Sequence, residues 1–189
     1  MISNFTVIYD ACVLYPYTLR DLLMELALRD LYRARWTEDI HIEWMRNLSK
    51  NKPNIPAAAI EKIRDLMDLN VRDCLVTEYQ WMIPSLNLPD PNDRHVLAAA
   101  IKAKAAVIVT YNLKDFPASE LARHNIEAQH PDTFITDLID LHPLQVVEAM
   151  NICHQRRKNP PCSFDDYLTQ VRRQELPNTV SMVKDLMSI

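Results

Sequence analysis

Not one of the 189 residues is glycine. A phosphate-binding P-loop or a dinucleotide-binding turn needs glycine where backbone must come close to phosphate or take a positive φ, so both of those nucleotide-binding classes are excluded. The composition is otherwise that of an ordinary soluble globular protein, 48% hydrophobic and 24% charged, and the length suits one domain with a tail.

The four cysteines, Cys12, Cys74, Cys153 and Cys162, form no C-x-x-C pair and are too few to staple a fold of this size, so they read as reduced thiols. Six dispersed histidines show neither H-x-x-x-H nor H-E-x-x-H, which argues against a zinc site of nitrogen and sulfur ligands and leaves oxygen as the donor for any metal. A net charge of −4 argues against a protein that coats nucleic acid through a basic surface. It leaves room for an enzyme with acids at its site and a few local basic groups. No run approaches the roughly 18 apolar residues of a membrane span, and no basic segment followed by an apolar run opens the chain. We therefore expect a cytoplasmic protein with no membrane association.

The run Phe5-Thr6-Val7-Ile8-Tyr9 favours a buried strand that ends in Asp10. A helix follows Pro16, with Thr18 and Asp21 as its cap and Leu19, Leu22, Leu23, Leu26, Ala27 and Leu31 as a core stripe. A second helix starts at Thr37 and runs to about Leu48. A third, after Pro53 and Pro56, carries Ile60, Ile63, Leu66 and Met67 on one face. Leu75 to Leu86 reads equally as a short strand or a helical turn. Asp90 and Pro91 open a helix to Lys104, Ala106–Thr110 is the second buried strand, and a helix near Ala118–Asn125 leads to a brief β-like Ile126–Gln129. Alternating strands and helices predict an α/β fold, a small parallel sheet with helices on both faces. From Pro131 the pattern is helical, punctuated by Pro143, Pro160, Pro161 and Pro177, with Ser163 and Asp166 as a capping pair. We accordingly divide the chain into a domain at 1–130 and a C-terminal helical extension at 131–189.

The candidate chemistry lies in four acids. Asp10 directly follows the first strand and Asp115 comes shortly after the second, where open parallel sheets bind ligands. Glu43 falls within the Ile40, Trp44, Leu48 stripe of its helix, and an unpaired inward carboxylate costs several kcal/mol, so it needs a cation, donors or a metal. Asp93 lies one turn before Val96, Leu97 and Ala100 on their buried face. If the four converge, repulsion at an effective dielectric near 20 is roughly 3 kcal/mol per pair at about 5 Å, which calls for a divalent counter-charge. All-oxygen donors favour Mg²⁺ or Mn²⁺. Asp90 reads as an N-cap with an outer supporting role. Arg20, Arg94 and Lys114 flank the acids as candidate phosphate contacts, or as plain surface charges and ion-pair partners.

The stretch Val7-Ile8-Tyr9-Asp10, the inward Glu43, the run Leu88 to Ala100 containing D-x-x-x-L-A-A-A from Asp93, and Ile108 to Phe116 containing T-x-N-x-x-D-F resemble the four acidic motifs of PIN-domain nucleases. The likeness is greatest to VapC-type toxin ribonucleases and covers roughly residues 5 to 130. It implies Asp10, Glu43, Asp93 and Asp115 as catalytic, metal-binding acids, with Thr110 and Asn112 in support. It further implies metal-dependent hydrolysis of RNA leaving a 5′-phosphate, a small antitoxin partner, and a homodimer as one assembly. The extra Asp90 beside Asp93 and the helical tail depart from the shared core.

The basic groups Arg156-Arg157-Lys158 and Arg172-Arg173 read as solvated helix faces, with an extended RNA path as the alternative. His41 and His95 read as satisfied or exposed side chains, and Cys12 as a small buried residue. Two other functions compete: a PIN-like module that binds RNA or protein without cutting, and a phosphatase of the haloacid-dehalogenase type. The second wants an Asp two residues after Asp10, where Cys12 stands.

Overall fold

A computed structural model describes residues 5–188; residues 1–4, on which the expectation of no leader segment falls, and residue 189 lie outside it. Strand β1 (Thr6–Tyr9) is wholly buried and leads through a one-turn helix α1 (Ala11–Leu14) into α2 (Tyr17–Ala27). Strand β2 (Arg33–Arg35), α3 (Glu38–Asn51) and α4 (Ala57–Asn70) follow. A 3₁₀ turn at Pro91–Asp93 opens α5 (Arg94–Lys102), then come β3 (Val107–Val109), a 3₁₀ turn at Leu113–Asp115, α6 (Ala118–Leu121) and β4 (Glu127–Gln129). The remainder is helical: α7 (Pro131–Leu141), α8 (Pro143–Gln155), α9 (Phe164–Arg172) and α10 (Pro177–Met187). Among the described residues no helix is long and apolar enough to cross a membrane.

The four strands form one parallel sheet in the order β2-β1-β3-β4, with Val7 opposite both Ala34 and Val107 and Ile108 opposite Ala128. The chain leaves β1 to one side to make β2 and returns to the other side to make β3. The strand order therefore reverses between β1 and β3, and their carboxyl ends open a crevice there, the usual ligand position in such sheets. Asp10 stands at one lip and the loop from Thr110 at the other.

Several local expectations hold for the reasons that motivated them. Thr37 accepts a hydrogen bond from the Ile40 amide and caps α3, Asp90 does the same for Asn92 ahead of Pro91, and Ser163 with Asp166 closes a full capping box on α9. The stripe Leu19, Leu22, Leu23, Leu26, Ala27, Leu31 is buried throughout. Others need correction. Helix α2 begins at Tyr17 behind Pro16 with no side-chain cap, because the proline sets the start; Thr18 is already inside the helix and Asp21 turns to Arg156. Strand β2 was not anticipated: Arg33-Ala34-Arg35 offers one apolar residue, and pairing with Thr6–Ile8 makes it a strand. Leu75 to Leu86 resolves into one parallel bridge, Leu75 with Trp36, and a 3₁₀ stretch at Gln80–Ser85. Leu66 is 48% exposed, outside the core it was assigned to.

Without glycine, the left-handed positions fall to other residues. Asp30, Asp73, Glu78, Lys104, Asn125 and Glu175 all have φ between 51° and 60°. Each bears the steric cost that glycine avoids, least for Asp and Asn, whose short side chains tolerate this region.

The extension is fastened to α2. Arg156 pairs with Glu25 and Asp21, Arg29 with Glu148, and the Arg157 guanidinium lies between the Tyr17 and Tyr167 rings, 5.2 and 4.9 Å from their centroids. Arg157, half-buried between the two rings, is thus a structural clasp and not the solvated face expected of it; Arg156 is exposed as expected although it pairs with α2, and Lys158, Arg172 and Arg173 are exposed.

Candidate active site

Asp10 follows β1 with its amide bonded to the Val109 carbonyl at 3.1 Å, so the first acid is tied directly to the neighbouring strand. It is 2% exposed. Its Oδ2 accepts from the Thr110 hydroxyl at 2.6 Å and from the Cys12 thiol at 3.1 Å. The Thr110 hydroxyl in turn accepts the Asn112 amide at 2.9 Å, which fixes its proton toward Asp10. One carboxylate oxygen, Oδ2, is therefore committed to the protein. Burial is the largest influence on this carboxyl and raises it above the ordinary range; the Thr110 and Cys12 bonds oppose that, and Glu43 adds to it.

Asp93 closes the 3₁₀ turn that opens α5 and is half-buried. Its carboxyl is pushed up from 3.8 to about 7, first by burial and then by the negative fields of Asp10, Asp90, Asp115 and Glu43. Acids from four separate segments thus act on one group, on the side of the sheet where the crevice lies. Among the described residues, no three Asp, Glu, His or Cys side chains form a group able to hold a metal ion. The acids acting on Asp93, and Asp93 itself, offer only oxygen, and a donor set of that kind fits a hard divalent cation.

The remaining expected residues divide. Glu43 sits at the rim of its stripe, 34% exposed, with His95 Nε2 3.6 Å away, and not inside the stripe beside Ile40 and Trp44. Asp115 is half-buried at the end of its 3₁₀ turn, and its amide bonds the Asn112 carbonyl at 2.9 Å. Asp90 spends Oδ1 on the Asn92 amide and side chain, as a cap should. Asn112 and Lys114 are exposed at the mouth, and Arg94 is half-buried with a buried Nε that has no hydrogen-bond partner. Arg20 does not belong with them. It is 5% exposed, donates to the carbonyls of Leu14 and Tyr15 and lies 5.0 Å from the Trp44 ring centroid, so it cannot meet a phosphate.

His41 is a satisfied core histidine. Trp44 Nε1 can only donate, so Nδ1 accepts it at 2.9 Å and Nε2 carries the proton toward Asp68 at 2.9 Å. Cys12, by contrast, is more than a filler: its sulfur also accepts the Tyr111 amide at 3.3 Å and lies 3.4 Å from the Thr110 hydroxyl, joining Asp10 to the loop after β3. Nothing local in the sequence signals this, because its partners sit some hundred positions away.

Residues 6–114, more than half of the chain, match the PIN domain family. The chain belongs to the PIN-domain family. Residues 131–185 match a second family, the VapC50 C-terminal domain, so this PIN protein carries its helical extension in a form that recurs elsewhere. A stretch of 50 residues is 56% identical to a Mycobacterium tuberculosis protein named "Putative ribonuclease VapC50". The match covers 26% of this chain and 30% of that protein. No solved structure matches.

The Asp10 clamp yields a direct expectation. Thr110→Val removes the 2.6 Å donor while keeping the shape, and should weaken Mn²⁺ binding roughly 10- to 100-fold, the range typical of outer partners of a metal site. Thr110→Ser should stay near the unaltered protein. Calorimetric titration of both variants checks this, and equal affinities for Val and Ser would remove the clamp's role.

Proposed function

We propose that this PIN-domain chain is a Mg²⁺- or Mn²⁺-dependent endoribonuclease of the VapC type, with Asp10, Glu43, Asp93 and Asp115 as the residues that hold the cation. The observation that carries this is Asp93: a carboxyl raised toward neutrality first by burial and then by acids from the end of β1, its own turn, the loop after β3 and α3. The motif order and the VapC50 relative support the same reading.

A bound divalent ion would supply a Lewis acid that lowers the pKa of water and offsets charge gathering on the phosphoryl group. The chain's own residues do the rest. Asp10 is held by Thr110 and Cys12 through Oδ2, so its carboxylate has a fixed direction. Asp93, whose carboxyl feels the Asp115 field, and Asp115 orient the attacking water. Lys114 and Arg94, at the mouth, meet phosphates on either side of the cut. Water adds to phosphorus as the bond to the 3′ oxygen breaks, leaving a 3′-hydroxyl and a 5′-phosphate.

The helical extension at 131–188 forms the second unit of the protein, docked on α2. A small antitoxin covering the crevice mouth is the partner that the VapC relationship points to, in the cytoplasm. The test is cleavage of a panel of single-stranded RNAs and matched DNAs with Mg²⁺, Mn²⁺ or EDTA. RNA should be cut only with metal and should carry 5′-phosphate ends; cutting that persists in EDTA would sink the proposal, as would an inert protein under every metal condition.

A further inference from the structure

We propose that Tyr111 is a positioning residue through which the C-terminal extension holds the Thr110–Asp115 loop, and with it the Asp10 carboxylate, in working geometry. The inference rests on the nuclease reading and adds to it a role for residues beyond the PIN domain.

Tyr111 lies between two of the clamp's members, Thr110 and Asn112. Its backbone amide donates to Cys12 Sγ at 3.3 Å, and the same thiol donates to Asp10. Its side chain points the other way. The phenol donates to the Gln174 carbonyl at 2.7 Å, and the ring meets His130 edge-on at 5.2 Å. One residue therefore touches the Asp10 clamp with its main chain and the extension with its side chain.

The far end of this connection is firmly held. Gln174 lies in the turn between α9 and α10, with its amide bonded to the Val171 carbonyl and the next residue, Glu175, in the left-handed region. Just beyond, the N-terminus of α10 is capped from α7: Asp132, 4% exposed, accepts from the Asn178 amide and side chain and from the Thr179 amide and hydroxyl, at 2.7 to 3.1 Å. His130, on the other side of the Tyr111 ring, caps α7 through Nδ1 and lies 3.8 Å from Glu175 through Nε2. The phenol thus hangs on a turn that two helix caps make rigid. A hydrogen bond to a main-chain carbonyl in such a turn sets position well, because the acceptor has no side-chain freedom and the phenol has only two torsions to fix.

The experiment uses the full chain and three proteins: unaltered, Tyr111→Phe, and Ser163→Ala, which breaks the α9 capping box inside the extension without touching Tyr111. Mn²⁺ is titrated by calorimetry, and amide exchange of Asn112 and Asp115 is followed in EDTA. Tyr111→Phe should bind Mn²⁺ roughly tenfold more weakly, the low end for an outer partner, should exchange both amides faster, and should lower kcat for RNA with KM unchanged. Ser163→Ala should leave all of these as they are. Equal Mn²⁺ affinity and equal exchange in Tyr111→Phe overturn the inference, and so does an equal loss in Ser163→Ala, which would mean general loosening. Failure of the unaltered protein to bind Mn²⁺ defeats the nuclease reading itself; the exchange measurement, made without metal, still decides whether the extension holds the loop.

Discussion

Replacing Asp93 by asparagine is expected to lower RNA cleavage by roughly a thousandfold or more, since under the proposed function it removes a carboxylate that holds the cation and orients the attacking water. The same change should alter stability with a definite sign. In the metal-free protein the Asp93 carboxyl sits at about 7, above its ordinary 3.8, so the folded chain holds this proton more tightly than the unfolded chain does. The stabilisation is complete below about pH 4 and is lost as pH rises through about 7, where the ionised group faces Asp10, Asp90, Asp115 and Glu43. Thermal melts in EDTA should therefore fall over this window in the unaltered protein and fall less in Asp93→Asn. Added Mn²⁺ should restore the unaltered protein at pH 8 and do little for the variant. Superimposable pH profiles, or undiminished cutting by the variant, would contradict the central position given to Asp93.

Trp44→Ala should be the most destabilising single change near the site. Trp44 is fully buried on α3, its indole N–H donates to His41 and its ring lies against the Arg20 guanidinium. Truncation removes the ring, leaves a cavity, orphans an acceptor on His41 and uncovers a buried cation. The first two effects alone cost about 3–5 kcal/mol and the orphaned acceptor about 1–3 more, against a total stability of about 5–15 for a typical domain. Through His41 and Trp36, which both bond Asp68, the loss also loosens α3 from α4 and from the end of β2. Trp44→Phe keeps most of the volume and should cost clearly less. Denaturant unfolding separates the two, and a loss below about 2 kcal/mol for Trp44→Ala would show that α3 is anchored elsewhere.

What could be read in the sequence was whatever depends on near neighbours. Thr37, Asp90 and Ser163 cap helices whose first turns they precede, and the signal is complete within a few residues. Asp10 and the motif after β3 were legible because each follows an apolar run that has to be a buried strand. The misreadings share a physical cause, dependence on distant chain. Arg33-Ala34-Arg35 becomes a strand only because Thr6–Ile8 offers it a ladder. Arg20 flanks the acids in sequence, yet its guanidinium turns inward to the Leu14 carbonyl and the Trp44 ring. Cys12 looked like core filling, and only Thr110 and Tyr111, far along the chain, give its sulfur a task. Glu43 was placed in the apolar stripe, but its length lets the carboxylate reach the rim.

The strand order carries a kinetic consequence. With every ladder parallel, no strand can pair with its sequence neighbour through a tight turn, and β1 and β3, which lead into Asp10 and into the loop that carries Asp115, are joined across about half of the chain. Such long closures are slow, and they come late in folding compared with the helices. The acids consequently have no partial assembly: a chain that has formed most of its helices but not β3 presents isolated carboxylates with no affinity for a cation. Under the proposed function, a chain built this way gains its cutting power in one step, at the end of folding, and loses it in one step as soon as the centre of the sheet opens.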